Sequence, residues 1–459
     1  MPGRCPGTGR VISSSARTPE SAVATLVERM SRFLILVPLT GRDALTGNVA
    51  GVIGGALWVP FLGAFVVAFL TAFSYLELVG KYPRAAGAAL YTNRAFRIPF
   101  LTFIVAFAVM SSGITSASSA AVAFGDTYLR AFVALPTWAV GITFIVLLGL
   151  INFRGVGESL KANLVLTLIE LSGLLIIIVI GVYAVATGTG EPSRLTEIDT
   201  SESGVLLAIT SATALAFFAM VGFEDSVNMA EEVQRPARIF PRSMLLGMGI
   251  AGLIYVLVTV TSSLLVPADQ LAELESGALL EVVRVGAPAF PIGLFAVIGL
   301  FAVVNSALIN MLMASRLVYG MSNERIIPLG LGTVHPTRRT PWVSILFTSA
   351  IAVVLVSFVP LDDLAGTTSL LLLAVFTLVN IACLQLRRET VEHPHFRAPT
   401  WTPWVGAVLC GYLVTPLSGR DAKEYVIAAG LLVVGVLLYF VNRLFVGKVE
   451  FDPARLYRE

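Results

Sequence analysis

The residues of this sequence that are best able to do chemistry lie inside apolar segments. Glu170 stands in the middle of the run LVLTLIELSGLLIII. A charged carboxylate at that depth of a bilayer costs about 2.5–3.5 kcal/mol, so it must face the interior of a helix bundle or stay protonated. Two interpretations remain open: Glu170 is a protonatable functional group, or it is a structural acid hydrogen-bonded to a neighbouring helix.

A second candidate is the backbone of AFFAMVGFE, which runs from Ala216 to Glu224. Its Phe and Val residues are middling helix formers, and Gly222 costs about 1 kcal/mol relative to Ala. Inside a bilayer, unwound backbone is tolerated only where it is buried in protein or lines a cavity. We therefore expect a broken helix that exposes carbonyl and amide groups as ligands; the alternative is a Phe-rich packed helix. The expected binding residues are Phe217, Phe218, Ala219, Met220, Val221 and Gly222.

Membrane-spanning helices must position these groups. Hydrophobic residues make up 56% of the chain and charged residues 13%, whereas a soluble chain has about a quarter charged residues. One span needs roughly 20 apolar residues, and the sequence lacks the alternation of an outer-membrane barrel, so the fold is predicted to be all-α. A weak apolar window precedes residue 56, and the clear windows are 57–79, 99–124, 137–153, 162–187, 205–222, 243–266, 292–317, 342–360, 366–386, 402–417 and 424–446.

The loops between these windows alternate in charge. By the positive-inside rule the basic loops are cytoplasmic, which predicts twelve spans with both termini inside. We also expect a short surface helix at ADQLAEL in the second long outer loop. The basic loops contain Lys81, Arg84, Arg94 and Arg97; Arg154 and Lys161; Arg235, Arg238 and Arg242; Arg325, Arg338 and Arg339; and Arg387, Arg388 and Arg397. The acidic or mixed loops contain Glu191, Glu197, Asp199 and Glu202; Asp269, Glu273, Glu275 and Glu281; and Asp362 and Asp363.

Several other kinds of chemistry lack a motif in this sequence. The three cysteines form no spaced motif, and His393 and His395 are too small a cluster to indicate a metal site. No phosphate loop, nucleophile elbow or zinc motif is present. We therefore expect neither enzymatic activity nor a cofactor, a bound metal or a nucleic-acid partner, and an ATP-driven mechanism would need a separate subunit.

Three motifs together carry a resemblance to a known family. The first starts inside the apolar segment that contains Phe218, runs into a charged one, and has the pattern F-A-x-x-G-F-E, N-x-A-E-E and P-x-R-x-x-P-R. The others are a loop after the 57–79 window and a segment at the end of the 292–317 window. Their residues are Phe218, Ala219, Gly222, Phe223, Glu224, Asn228, Ala230, Glu231, Glu232, Pro236, Arg238, Pro241 and Arg242; Glu77, Pro83, Ala86, Gly87 and Tyr91; and Ser315, Arg316, Tyr319, Pro328 and Pro341. Over residues 47–446 the chain resembles amino acid permeases of the amino acid–polyamine–organocation superfamily, and is most similar to cationic amino acid transporter-like members.

The resemblance implies a secondary transporter with about twelve spans, a five-plus-five inverted repeat and broken first and sixth helices. It implies that the carbonyls of Phe218, Ala219 and Val221 accept hydrogen bonds from the α-ammonium group of an amino acid, and that the Phe218 ring gates the site. Ser112 and Asn305 are candidate site-lining residues, although small polar residues in membrane helices usually serve close packing.

The resemblance also indicates coupling and gating residues. Many relatives have a lysine near the position of Glu170, so the acid leaves the coupling ion open, with a proton as the expected ion. Glu224 matches an acid of the family and is a candidate for pairing with a buried polar group. Glu231, Glu232 and Arg238 are candidates for an inner gate, or they are solvated charges that set orientation.

The first span departs from the family pattern. The expected G-[ASG]-G-I break is replaced by GRDALTGNVAGVIGG, and Arg42 and Asp43 stand where the broken helix belongs. We divide the chain into an atypical segment 1–46, a transporter domain 47–446 and a cytoplasmic tail 447–459. Three explanations are open for this departure: a wrong start or a frameshift in the gene, a genuine divergent first helix, or an acid-poor organellar targeting segment over residues 1–19.

Three functions compete at this point. The leading one is a secondary active transporter that moves amino acids across the cytoplasmic membrane by alternating access, through proton symport or exchange. An uncoupled channel is disfavoured because channels need uninterrupted pore helices. A non-transporting sensor or accessory subunit is kept open by the unusual first span. The lipid bilayer and a small amino acid are the expected partners, and the sequence leaves the oligomeric state open.

Overall fold

The structure is a computed structural model that describes residues 42–82, 87–154, 159–199, 204–224, 227, 236–274, 277–323, 327–391 and 393–446. These residues form helices and loops and contain no strand. The α-helices are α1 Arg42–Ile53, α2 Trp58–Lys81, α3 Gly87–Phe96, α4 Pro99–Ala123, α5 Thr137–Arg154, α6 Ser159–Thr187, α7 Val205–Ala216, α8 Pro236–Leu265, α9 Ala268–Glu273, α10 Ala278–Gly286, α11 Ile292–Asn323, α12 Trp342–Phe358, α13 Leu361–Leu386, α14 Thr402–Val414 and α15 Ala422–Val446.

The predicted all-α membrane fold is confirmed. In the described part of the chain, 8 helices are long and apolar enough to cross a membrane, and three shorter apolar helices accompany them. Together with α1 they account for the twelve apolar windows of the sequence. The surface helix expected at ADQLAEL is α9. The structure adds α3, which forms from the Gly- and Pro-containing loop after α2, where the sequence alone indicates only a turn.

Helix α4 lies at the centre of the bundle, between α11 and α13. Its many small residues allow neighbouring helices to approach closely. At Gly113 the Asn310 carbonyl oxygen of α11 would lie only 3.4 Å from an added methyl group. On the other side, the hydroxyls of Thr115 and Thr368 are 2.6 Å apart and join α4 to α13. Small residues and cross-helix hydrogen bonds are the usual means by which membrane helices associate.

The turn between α1 and α2 belongs to the predicted outer end of the bundle. Helix α1 ends at Ile53 because Gly54 adopts φ +81°, a conformation that favours glycine. The loop before α7 pairs with this turn: the Asp199 amide donates to the Ile53 carbonyl at 2.9 Å, and the Ala56 amide donates to the Glu197 carbonyl at 2.9 Å. Helix α9 packs on α1 from the same side. The turn between α1 and α2 is thereby covered.

Candidate functional site

The helix that begins at Val205 breaks where the sequence predicts. Helix α7 ends at Ala216, one 3₁₀ turn follows over Phe217–Met220, and Val221 is extended. Gly222 then has φ +116°, which L-residues rarely adopt. The break differs from the expectation in one detail. The chain first forms a 3₁₀ turn and becomes extended only at Val221. The Val221 amide donates to the Phe218 carbonyl at 3.3 Å, as is common in the last turn of a helix.

Glu224 stabilises the turn. Its carboxylate oxygen Oε2 accepts a hydrogen bond of 2.9 Å from the Gly222 amide, and the residue is only 6% exposed. Glu224 therefore contacts the backbone inside the break, in the buried interior of the protein. A carboxylate that accepts a backbone N–H forms one of the stronger hydrogen bonds in proteins.

Aromatic rings fix the break between α2 and α13. Phe376 of α13 contacts Phe217 at a centroid distance of 5.8 Å and Phe223 at 5.1 Å. Tyr75 of α2 contacts the Phe223 ring edge-on at 5.7 Å and the Phe376 ring at 5.6 Å. Such pairs stabilise by about 0.5–1.5 kcal/mol each beyond burial. Phe217 and Phe223 stand on either side of the break, so this aromatic cluster holds both of its ends.

Two of the cluster's members, Tyr75 and Phe376, were missed by sequence reasoning. Both lie in long apolar windows among many other hydrophobic residues, and no local pattern distinguishes them. Only the approach of α2 and α13 to the break reveals their positions.

The predicted lining residues lie on α4 and α11, which pack against each other. Ser112 is buried and donates to the Val109 carbonyl of its own helix at 2.7 Å. Asn305 is buried on α11, and the side-chain Nδ2 of nearby Asn310 donates to the Ser306 carbonyl at 3.0 Å. These bonds serve the helices themselves, and contact with a substrate stays a prediction for Ser112 and Asn305.

Some hydroxyls near the α4–α13 contact are buried and have no hydrogen-bond partner among the described residues. They belong to Ser116 and Ser119 of α4 and to Thr367 of α13. Each is adjacent to, or one turn from, the Thr115–Thr368 pair. An unpaired buried hydroxyl costs about 1–3 kcal/mol.

Glu170 faces the interior, as its insertion cost requires. It is 5% exposed and lies on the buried stripe of α6 with Thr167, Leu174 and Ile177. The same helix approaches α11 at Gly173, where an added methyl group would lie 2.8 Å from the Ile298 side chain. The coupling role of Glu170 stays a prediction.

Glu231 and Glu232 lie outside the described residues, and of Arg238 only its backbone position in the first turn of α8 is described. At the predicted inner end the structure shows an ion pair between the buried Glu77 and the partly buried Arg387. The Glu77 carboxylate of α2 accepts hydrogen bonds from Arg387 Nε at 2.8 Å, from Arg387 Nη2 at 2.7 Å and from the Ala398 amide at 2.9 Å. The bonds to this carboxylate raise the pKa of the Arg387 guanidinium. The ammonium group of Lys81 donates to the carbonyls of Leu386 and Glu389, so α2 and the end of α13 are joined.

Comparison with known proteins agrees with this architecture. The profile of the amino acid permease family matches residues 24–442. The branched-chain amino acid permease BcaP of Bacillus subtilis is 24% identical over 428 residues, which are 88% of this chain and 89% of the relative. The methylthioribose transporter of the same organism is 27% identical over 427 residues, again 88% and 89% of the two chains.

A solved structure supports the fold alone. The manganese transporter of Eremococcus coleocola superposes with a TM-score of 0.58 and 14% sequence identity, covering 94% of this chain and 96% of that chain. The helix architecture described above is thus that of a membrane transporter of the amino acid–polyamine–organocation type.

The chain belongs to the amino acid permease family, because the family profile covers most of its length. It is a multi-pass membrane transporter and not an enzyme. The family expectation drawn from the three sequence motifs is confirmed.

Proposed function

We propose that this permease moves amino acids across the cytoplasmic membrane by alternating access, with both termini inside and with proton symport or exchange as the driving force. The broken helix at Phe217–Gly222 is the observation that carries the proposal. Its backbone is irregular and buried in the protein interior, which in a membrane is tolerated only in protein or along a cavity. In transporters of this architecture, such breaks form the midplane binding site.

The substrate's α-ammonium group would bind the carbonyls of Phe218, Ala219 and Val221. The Phe218 carbonyl already accepts the Val221 amide, but a carbonyl oxygen has two lone pairs and can accept a second donor. The Phe218 ring would close the site from outside. One of the relatives is named as a transporter of methylthioribose, which is not an amino acid. The proposal that this chain carries amino acids therefore depends on recognition of the ammonium group.

The packing around the turn between α1 and α2 favours alternating access over a channel. The loop before α7 and helix α9 close over α1, and the residues at the break are buried. This packing supports a mechanism in which the outer end opens for a substrate to reach the break. Glu170 would carry the coupling proton from its buried position on α6.

Uptake by purified protein in proteoliposomes tests the proposal. We expect accumulation of at least one labelled amino acid, faster with an inward proton gradient or with amino acid inside. Excess unlabelled amino acid should compete, whereas its N-acetyl derivative, which lacks the ammonium group, should not. Equal competition by the N-acetyl derivative would refute ammonium recognition. Uptake of methylthioribose with none of the amino acids would refute the proposed substrate class.

A further inference from the structure

A buried arginine outside the family motifs contacts the broken helix. Arg420 lies in the turn between α14 and α15, and its side chain is only 1% exposed. The guanidinium donates to the carbonyls of Leu413 at 2.7 Å, Gly366 at 3.1 Å and Ala214 at 3.2 Å. It therefore connects the last two helices of the chain to α13 and to α7.

The bond to Ala214 falls on the last turn of α7. The last four carbonyls of an α-helix lack partners within the helix, and α7 ends at Ala216, directly before the break. The Ala214 carbonyl accepts from Arg420 and also from the Ser369 hydroxyl of α13 at 2.9 Å. A cation at this position interacts favourably with the negative end of the helix dipole. Arg420 and Ser369 together cap the half-helix that leads into the proposed substrate site.

Glu424 holds Arg420 in place. Its carboxylate accepts from Arg420 Nη1 at 2.5 Å, and the two residues are four positions apart at the start of α15. The same carboxylate packs against Gly366 of α13, where an added methyl group would lie 2.1 Å from Oε1. The cluster formed by Arg420, Glu424, Ser369, Gly366 and Ala214, which we call the α7 latch, thus joins α7, α13 and α15 to the outer turn that carries Arg420.

We propose that Arg420 is a positioning residue that latches α7 to α13 while the outer end is closed, and that the latch must release for substrate to enter from outside. This inference rests on the proposed transport function. The inference follows from the position of the hydrogen bonds. Helix α7 is the outer half of the broken helix, and Arg420 and Ser369 both donate to the Ala214 carbonyl in its last turn. Weakening the latch shifts the population toward an outward-open state, since a ligand or contact made in only one state biases the equilibrium between the two.

The substitution Ser211→Cys reports the separation of α7 from the turn that carries Arg420. The Ser211 side chain faces Gly419, with 3.0 Å between its Cβ atom and a methyl group added to Gly419. Ser211→Cys changes one atom and places a thiol in this contact. In intact cells, a membrane-impermeant thiol reagent then measures how often the contact opens to the outside. The chain without Ser211→Cys gives the background from Cys5 and from the buried Cys383 and Cys410.

The test variant is Arg420→Gln combined with Glu424→Gln. The double change removes the Arg420 bond of the cap and leaves the Ser369 bond. It also avoids an unpaired buried carboxylate, which on its own would destabilise the fold. We expect the thiol to react about tenfold faster, the factor that corresponds to about 1.4 kcal/mol and to the net loss of one hydrogen bond. Arg420→Lys keeps the charge and should return most of the slow labelling, and KM for uptake should change more than Vmax.

Arg194→Gln is the matched control. Arg194 is another outer arginine with an acidic partner, Glu191, and it donates to the Leu264 carbonyl at the end of α8, away from the break. We expect its labelling rate to equal that of the parent. Parent-like labelling in the double variant, or in Ser369→Ala if the double variant does not fold, overturns the latch. The labelling is independent of uptake, so absence of uptake in the parent would refute the proposed function without deciding the latch.

Discussion

Gly222→Ala tests the break at its most constrained residue. Gly222 has φ +116°, a region that residues with a Cβ atom rarely adopt. A methyl group there costs about 1–3 kcal/mol if the backbone keeps its conformation. If the backbone relaxes instead, the amide moves away from the Glu224 carboxylate, which it now contacts at 2.9 Å.

This energy cost lowers the population of the bent conformation. Since about 1.4 kcal/mol is a factor of ten, the bent conformation falls about 5- to 150-fold relative to relaxed alternatives. If only the bent conformation binds substrate, the apparent affinity falls by up to this factor, and by the full factor where the relaxed alternatives predominate. We therefore expect KM for amino acid uptake in proteoliposomes to rise, by up to about 150-fold.

Gly249→Ala is the control for this prediction. Gly249 lies within α8, and a methyl group added there has no atom within 4 Å. Alanine is the better helix former by about 1 kcal/mol, so this variant should fold and transport like the parent. The reasoning is refuted if Gly222→Ala, purified in equal yield and with an equal melting temperature, transports with the KM of Gly249→Ala.

Three further predictions concern neighbouring groups. Glu170→Gln should abolish the dependence of uptake on external pH, measured as initial rates from about pH 5 to 8; unchanged pH dependence would exclude Glu170 as the coupling residue. Phe376→Ala removes the ring that contacts Phe217 and Phe223 and should lower the free energy of unfolding by about 3–5 kcal/mol. The loss would be seen as a lower melting temperature in detergent. An unchanged melting temperature would show that the aromatic cluster does not hold the break. Glu77→Ala leaves the partly buried Arg387 without its carboxylate and should cost about 1–3 kcal/mol, whereas the exposed neighbour Arg388→Gln should have no effect. Equal melting temperatures of the two variants would contradict a structural role for the pair.

The membrane helices and the break could be predicted from the sequence because both follow from local composition. Apolar windows of about 20 residues indicate spans without any knowledge of their neighbours. Gly222 in a Phe-rich apolar run indicates a weak point of a helix in the same local way. Helix α3 was not predicted, because its Gly87–Phe96 segment is stabilised by burial of residues such as Tyr91 against the bundle.

The groups that hold the break depend on contacts between distant parts of the chain. Arg420 and Ala214 are 206 positions apart, and no periodicity in either segment relates one to the other. The i,i+4 spacing of Arg420 and Glu424 is visible in the sequence, but at a helix start such a pair is usually a solvated one. Their burial, and with it the α7 latch, becomes apparent only when α7, α13, α14 and α15 are assembled.

Counterflow in proteoliposomes tests the central claim most directly. Vesicles that contain the purified chain are loaded with an unlabelled amino acid and diluted into a trace of the labelled one. Alternating access at the break predicts transient accumulation of label above the equilibrium level, which Gly222→Ala should reduce and Gly249→Ala should not. Binding of the amino acid without entry of label, or entry without transient accumulation, would contradict the account, since the first result describes a sensor and the second a channel.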